Sequence, residues 1–576
     1  MAELHFIAKE PINKGWSGDK KYCVTDENGT RYLLRVSDKA LYDAKLSEFN
    51  MMKQVAALGV PMCLPIEFGT CEDGVYSVQS WIDGVDAEEV IPTLSDTEQY
   101  VYGLEAGRIL RKIHSIPAPE AQENWESRFN RKMDYKINRY KESPIHYENG
   151  QVFIDYISEN RHLLQGRPQV YQHGDYHIGN MMIDHGGHLQ ILDFNRNDFG
   201  DPWEEFNRIV WCAQKSSLFA SGMVNGYFDG EVPLEFWKLL ALYISSNTLS
   251  SVYWAIPFGQ EEVNTMLNQA REVLAWYDNM RNPIPTWYCK GYYLQYIDGI
   301  PYKLKGAFDF SFMSKYGRVF KVYDDQDSGN ICFGTEKNGY RYFVKFAGAP
   351  TEQYTGDPID AIDRLKATLP VYKDLRHENL ISFIEGEDIG GGFSMVFQWV
   401  DGDCMGRMYP AAHRRFMHLP ISAKQDVFHD ILNFFEYIAA QHYVAIDFYD
   451  GSILYDFEQG KTTVCDIDFF RKQPCINDMG RMWGSSLFQS PEEYQLGAVI
   501  DEITNVYTVG ATAFALFGGY ERTKDKWQLN EKLFAVAAKA VSHDRAHRQQ
   551  TIKQFKEDWE AALYGCQDLN REKEDS

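Results

Sequence analysis

One order of events occurs twice along the chain, and that repetition limits the fold more than any single motif. Each half opens with alternating apolar and polar residues punctuated by Gly and Asp, the pattern of antiparallel hairpins. A helical stretch follows, then a short apolar strand ending in an acidic-Gly turn: Trp81-Ile82-Asp83-Gly84 in the first half, Trp399-Val400-Asp401-Gly402 in the second. Each half then has a long helix, an Asp-centred loop, a hairpin and a second Asp ahead of Phe, and ends in helices. Strands first and helices last, in both halves, predict an α+β chain of two tandem bilobal units. The first pattern stops and the second has not begun across 281–306. The expected division is therefore 1–288, a linker at 289–306, 307–565 and a frayed tail at 566–576. The linker is aromatic rather than rich in Gly and Ser, so it is expected to pack.

At 576 residues the chain is long enough for two such units. No run of about 18 apolar residues exists, so no membrane-spanning helix is expected. The N-terminus lacks a basic stretch followed by an apolar one, and no secretory signal is expected. Ten cysteines are scattered without a CxxC pair, which points to reduced thiols in a cytoplasm and against structural zinc. The formal net charge is −24, and both halves are acidic. Attraction to nucleic acid or to an anionic membrane is disfavoured on that charge. Solubility explains it; an acidic pocket for a cationic substrate is the sharper alternative.

The strongest chemical signal is His173-Gly174-Asp175-Tyr176-His177-Ile178-Gly179-Asn180, followed by Ile191-Leu192-Asp193-Phe194. Between them His185-Gly186-Gly187 reads as a tight hairpin, which would bring Asn180 and Asp193 to adjacent strand ends. Phosphoryl transfer from ATP needs such an arrangement, with Mg held on the phosphates and a carboxylate to orient the attacking hydroxyl. Asp175 fits the base; Asn180 and Asp193 fit the metal. The pattern resembles the aminoglycoside phosphotransferase and choline kinase family, whose signature loop is H-G-D-x-x-x-x-N followed by D-F. The resemblance covers residues 8–288 and implies a protein-kinase-like fold that uses ATP and Mg on a small hydroxylated molecule.

Other positions follow from that resemblance. Gly15, Ser17 and Gly18 occupy the phosphate-covering turn, where small residues let backbone N–H groups approach. Arg35 sits at the basic position of strand three, with Glu48 on the next helix as its expected ion-pair partner. Ser80, Trp81 and Ile82 would form the hinge that receives adenine, and Asp201–Phe206 would support the metal loop. About 58 residues separate His114 from the catalytic loop, including a charged helical stretch over 124–164. The resemblance makes this insertion the acceptor pocket. Trp125, Glu126, Tyr135 and Tyr140 could hold a cationic amino-sugar there; equally, they are a core face and a solvated face.

In the second half a helix is expected over Ile431–Val444, leading into Ala445-Ile446-Asp447-Phe448-Tyr449-Asp450-Gly451-Ser452 and then Cys465-Asp466-Ile467-Asp468-Phe469. With Gly484–Glu492 in the register of G-T-x-x-Y-x-A-P-E, these residues resemble an atypical eukaryotic-type serine/threonine protein kinase over 308–563. The resemblance implies Asp447 as base, Ser452 and Asp468 as metal ligands, Lys345 as the strand-three lysine and Gln398 to Val400 as hinge. It also implies a buried Glu492–Arg548 salt bridge. The departures are clear: Ser452 stands for the usual Asn, Asn505 for the helix Asp, and Thr368 falls nearest the helix Glu. The phosphate loop keeps only Gly329 and carries Asp324, Asp325 and Asp327, which would oppose phosphates. The leading reading is a second kinase acting on a protein substrate. The alternative is a weak or inactive module regulating the first half.

Overall fold

The computed structural model describes residues 5–13 and 18–564. The chain divides into two compact units, Met1–Tyr292 and Tyr293–Ser576. In the first, five antiparallel strands, β1 (Phe6–Ile12), β2 (Lys20–Asp26), β3 (Arg31–Ser37), β4 (Pro65–Cys71) and β5 (Gly74–Ser80), lie in the order β1-β2-β3-β5-β4. Alternation along β3 puts Leu34 and Val36 with Val24 and Val78 in a small apolar cluster, and turns Arg35 to the opposite face. There α1 (Tyr42–Ala57) covers it.

The helical lobe is built on close backbone contact. Helix Asp96–Ile113 starts with a capping box, in which Ser95 and Glu98 satisfy each other's amides. It packs on helix Ser217–Phe228 through facing glycines, and a Cβ at Gly107 would lie 2.1 Å from the Met223 carbonyl oxygen. Helix Leu234–Ala255, apolar on nearly all sides, fills the centre of the lobe. The inserted segment forms helices Trp125–Glu142 and Gln151–Asn160.

In the second unit, strands Arg318–Tyr323, Asn330–Lys337, Tyr340–Ala347, Phe383–Ile389 and Gly392–Gln398 repeat the strand order of the first sheet, and helix Pro358–Asp374 follows the third strand. Two expectations change in detail. The segment 289–306, expected as a linker, contains an antiparallel hairpin, Tyr293–Ile297 with Ile300–Leu304, inside the second unit. Its first residues, up to Tyr292, belong to the first unit, where the Cys289 amide donates to the Ser221 hydroxyl (3.1 Å). The helix expected over 431–444 runs instead from Ile421 to Ala440. His442 in the left-handed region (φ 59°) breaks it, and Tyr443–Val444 forms a strand pairing with Arg471–Lys472. The nine described cysteines are all unpaired. Among the described residues no helix is long and apolar enough to cross a membrane.

Candidate active site

The loop 173–180 is pinned from below. His173, fully buried, has Nε2 2.8 Å from the Leu192 carbonyl and accepts from the Asp175 amide at Nδ1 (3.3 Å), which places its proton on Nε2. Gly174 adopts φ 85°, and its amide donates to buried Glu205. A Cβ there would lie 1.9 Å from the Arg196 carbonyl oxygen, so only glycine fits. The Tyr176 hydroxyl donates to the Ala106 carbonyl (2.7 Å). Asn180 donates its Nδ2 to the Asp175 carbonyl (2.9 Å). Its amide oxygen is left without a hydrogen-bond donor among the described residues.

The hairpin Met181–Asp184 and Leu189–Ile191 joins the second loop to the first, with the Leu192 amide donating to the Asn180 carbonyl (2.9 Å). Asp193 follows in the left-handed region, φ 60°. Such a backbone costs a non-glycine residue about 1 kcal/mol and persists where its surroundings hold it. Here Arg35 holds it, with Nη1 2.7 Å from Oδ1, and Lys21 lies 3.9 Å from Oδ2. Burial pushes the Asp193 carboxyl up, but Arg35 and Lys21 outweigh it and keep the group below the usual carboxylate range. Arg35 also contacts Asp19 (2.9 Å), which binds Lys45 (3.0 Å) and Ser37 (2.7 Å). Glu48 meets Lys45 rather than Arg35, so the expected Arg35–Glu48 pair is replaced by a chain running through Asp19.

The Asp175 carboxylate faces Arg208 (3.3 Å), Arg196 (3.7 Å) and His177 (3.8 Å). Burial lowers His177 to about 4 against the pull of Asp175, so the imidazole is neutral at pH 7. The support expected from 201–206 is present: buried Asp201 takes a bidentate pair from Arg167 and a hydrogen bond from Tyr243 (2.6 Å). Trp125 and Tyr140 are buried in the core, and Tyr135 is exposed, so these aromatics do not form a pocket wall. Gly15 and Ser17 lie outside the described residues, whereas Gly18 sits in open space. At the hinge the Ser80 amide and hydroxyl are both engaged with Leu64, and Ile82 is partly buried.

In the second unit the same backbone connections recur two residues before the expected metal ligand. The Cys465 amide donates to the Ser452 carbonyl (2.8 Å), as Leu192 does to Asn180, and the next residue, Asp466, is left-handed at φ 55°. The position equivalent to Asp193 is therefore Asp466, not Asp468. Asp468 is instead tied by the Tyr372 hydroxyl (2.7 Å), and Lys345 spans Asp466 (3.0 Å) and Asp468 (2.6 Å). Tyr372, one turn beyond Thr368, supplies the helix contact. Ser452 is buried with its hydroxyl on the Tyr449 amide (3.4 Å), and Asp450 accepts from Tyr520 (2.5 Å). Burial, then Asp466 and Asp468, push Asp447 up to about 7.

Two further departures are compensated. Asn505 accepts from the Ala445 amide (2.8 Å) and donates to the Tyr443 carbonyl (3.0 Å). In the phosphate loop, Lys303 of the hairpin donates its amide to Asp324 (2.8 Å) and pairs its ammonium with the Asp325 carboxylate, leaving Asp327 of the three. Gly329 (φ 82°) is pressed against Tyr354 and Ala361. Gln398 donates its amide to the Ser382 carbonyl, and Val400 is partly buried against the core. The Glu492–Arg548 pair forms as expected, bidentate at 2.8 and 3.0 Å and buried.

Comparison with known proteins singles out the first unit. Residues 10–237 match the model of the phosphotransferase enzyme family. The first unit resembles that family. Among solved structures, a thermostable mutant of aminoglycoside phosphotransferase APH(4)-Ia matches at 14% identity and TM-score 0.36, covering 47% of this chain and 94% of that one. A choline/ethanolamine kinase family protein from Mesorhizobium loti matches at 15% identity and TM-score 0.37, covering 48% and 91%. The same aminoglycoside phosphotransferase has been solved as a ternary complex with ADP and hygromycin B. No curated protein matches the sequence.

Within that phosphotransferase frame, the residues that sequence reasoning missed in the first unit are Asp19, Arg196 and Arg208. Asp19 adjoins the phosphate turn, a visible signal. The two arginines reach Asp175 from positions 21 and 33 residues downstream, where no spacing rule points to them. In the second unit Tyr372 and Lys303 were missed for the same reason.

Proposed function

We propose that the first unit transfers the terminal phosphoryl group of Mg-bound ATP to a hydroxyl of a small molecule. The observation that carries this reading is the hydrogen-bonded link Asp175–Asn180–Leu192–Asp193, which brings a carboxylate for the proton and two oxygen donors for a metal into one loop pair. The donor set fits Mg: one carboxylate and one amide oxygen, the rest of its shell coming from phosphates and water. Bound there, the ion would neutralise charge on the transferring phosphates.

The chain's own residues do the rest. Asp175 orients the acceptor hydroxyl and takes its proton as the new O–P bond forms and the bond to the departing ADP oxygen breaks. Arg35, on the same side as Asp193, meets the nucleotide phosphates. Glu205 and His173 hold the loop backbone so that Asp175 does not swing. Replacing Asp175 by Ala in the full chain should remove most ATP-dependent turnover, read as ADP release; retained turnover would contradict the assignment.

For the second unit we read a kinase-like fold with a poor catalytic set. Lys345 is shared between two aspartates, Ser452 is buried and engaged, and Asp447 is held near neutrality. These features favour a nucleotide- or cation-binding regulatory module over a protein kinase. Autophosphorylation lost in Asp466→Ala would reverse that choice.

A further inference from the structure

The helix Trp125–Glu142 carries six basic and three acidic residues in a chain whose net charge is −24. Arg128, Lys132 and Lys136 recur every fourth residue and so share one face. That face runs along the segment 198–208: Arg128 meets Asp198 (3.3 Å), Lys132 meets Glu204 (3.3 Å), and Lys136 comes last, near Arg208. Of the acidic residues of this region, Asp198 has Arg128, Glu204 has Lys132 and Asp201 has Arg167, while buried Glu205 takes the Gly174 amide. What remains is an excess of positive charge beside Asp175. Arg196 and Arg208 share that one carboxylate, and Lys136 has no ion pair within 4.0 Å among the described residues. The buried Nε–H of Arg208 lies 3.3 Å from Asp175 without making a hydrogen bond to it. Burial, with the neighbouring Lys132 and Arg208, lowers Lys136 to about 7 against the pull of Glu204.

Resting on the phosphotransferase reading above, we propose that the acceptor is an anionic hydroxylated small molecule, whose phosphate or carboxylate is held by Arg208 and Lys136 while its hydroxyl meets Asp175. A cationic amino-sugar would place its ammonium against guanidinium and lysine side chains.

The test uses the full chain with Mg-ATP and four probes: glucose, glucose 6-phosphate, glucuronate and glucosamine. ADP release gives KM and kcat, and calorimetry gives Kd. A charge-assisted contact corresponds to about tenfold to a hundredfold in affinity. Glucose 6-phosphate or glucuronate is expected to bind at least about tenfold more tightly than glucose or glucosamine, and the better of the two identifies the anion. Lys136→Gln is expected to raise KM for the anionic probe about tenfold with little change in kcat. Equal or tighter binding of glucosamine, or no binding of either anion, would overturn the proposal. Glucosamine phosphorylation that disappears in Asp175→Asn would sink the anionic acceptor and leave phosphoryl transfer standing. Tighter binding of the anions without Asp175-dependent ADP release would support anion recognition and overturn transfer.

Discussion

The two units thread the same backbone through their paired loops and differ in how many cations they set against the carboxylates. In the first, Arg35 and Lys21 attend Asp193, and Arg196 and Arg208 attend Asp175, so both acids are matched. In the second, Lys345 alone serves Asp466 and Asp468, with Asp447 and Glu493 close behind. Burial there pushes Asp447 and Glu493 each up to about 7. One backbone course thus leaves Asp193 below the usual carboxylate range in one unit and Asp447 pushed up among crowded carboxylates in the other. The ratio of charges decides, not the turn geometry.

The comparison breaks first at the two candidate bases. Asp175→Asn should cost 10²–10⁴-fold in acceptor-dependent ADP release, while Asp447→Asn in the full chain should change it less than twofold. Equal losses would mean the second unit contributes to the same turnover. Next comes the buried Glu492–Arg548 pair of the second unit's helical lobe. Arg548→Met leaves Glu492 with Arg545 alone and should lower stability by about 3 kcal/mol in urea unfolding. Asp175-dependent turnover at low denaturant should survive.

The crowded carboxylates give the third effect. Asp447 has a folded pKa of about 7, above its unfolded value, so the folded state binds more protons than the unfolded one between about pH 4 and 7. Stability from this group falls as pH rises through that window and levels off above it. Asp447→Asn removes the loss, so the variant should gain on the order of 2 kcal/mol relative to wild type on going from pH 5 to pH 8. A gain of the opposite sign in the melting curves would refute the crowded-acid picture. Last, Tyr372→Phe strips a hydrogen bond from both Asp468 and the Ile467 amide and should cost about 1 kcal/mol. An unchanged urea midpoint in this variant would contradict the tie between Tyr372 and the loop.

Much of this was legible in the sequence, for physical reasons. The Asp175, Asn180 and Asp193 set is local: five residues and one short hairpin separate its members, and hairpin geometry fixes their meeting. The Glu492–Arg548 pair was readable from a motif register. The Asp-Phe marker points to Asp468, whereas the hydrogen bond from Cys465 to Ser452 and the left-handed backbone put the position at Asp466. Lys303 escaped because the segment that carries it was expected to be a linker. The Arg35–Glu48 pair was expected from the family resemblance, but Lys45, one turn earlier on the helix, reaches Glu48 first. Partners brought together by tertiary packing have no fixed separation along a chain, so residues such as Arg208 and Tyr372 were invisible until the helices were placed.

The glycine seam between helices Asp96–Ile113 and Ser217–Phe228 has a consequence for timing and accuracy. Because Tyr176 hangs from the Ala106 carbonyl within that seam, the reactive loop takes its reference from main-chain atoms with no side chain between them to cushion a shift. A methyl group introduced at Gly107 would therefore be felt some 70 residues away in sequence, as a base aimed off its target rather than as a melted lobe.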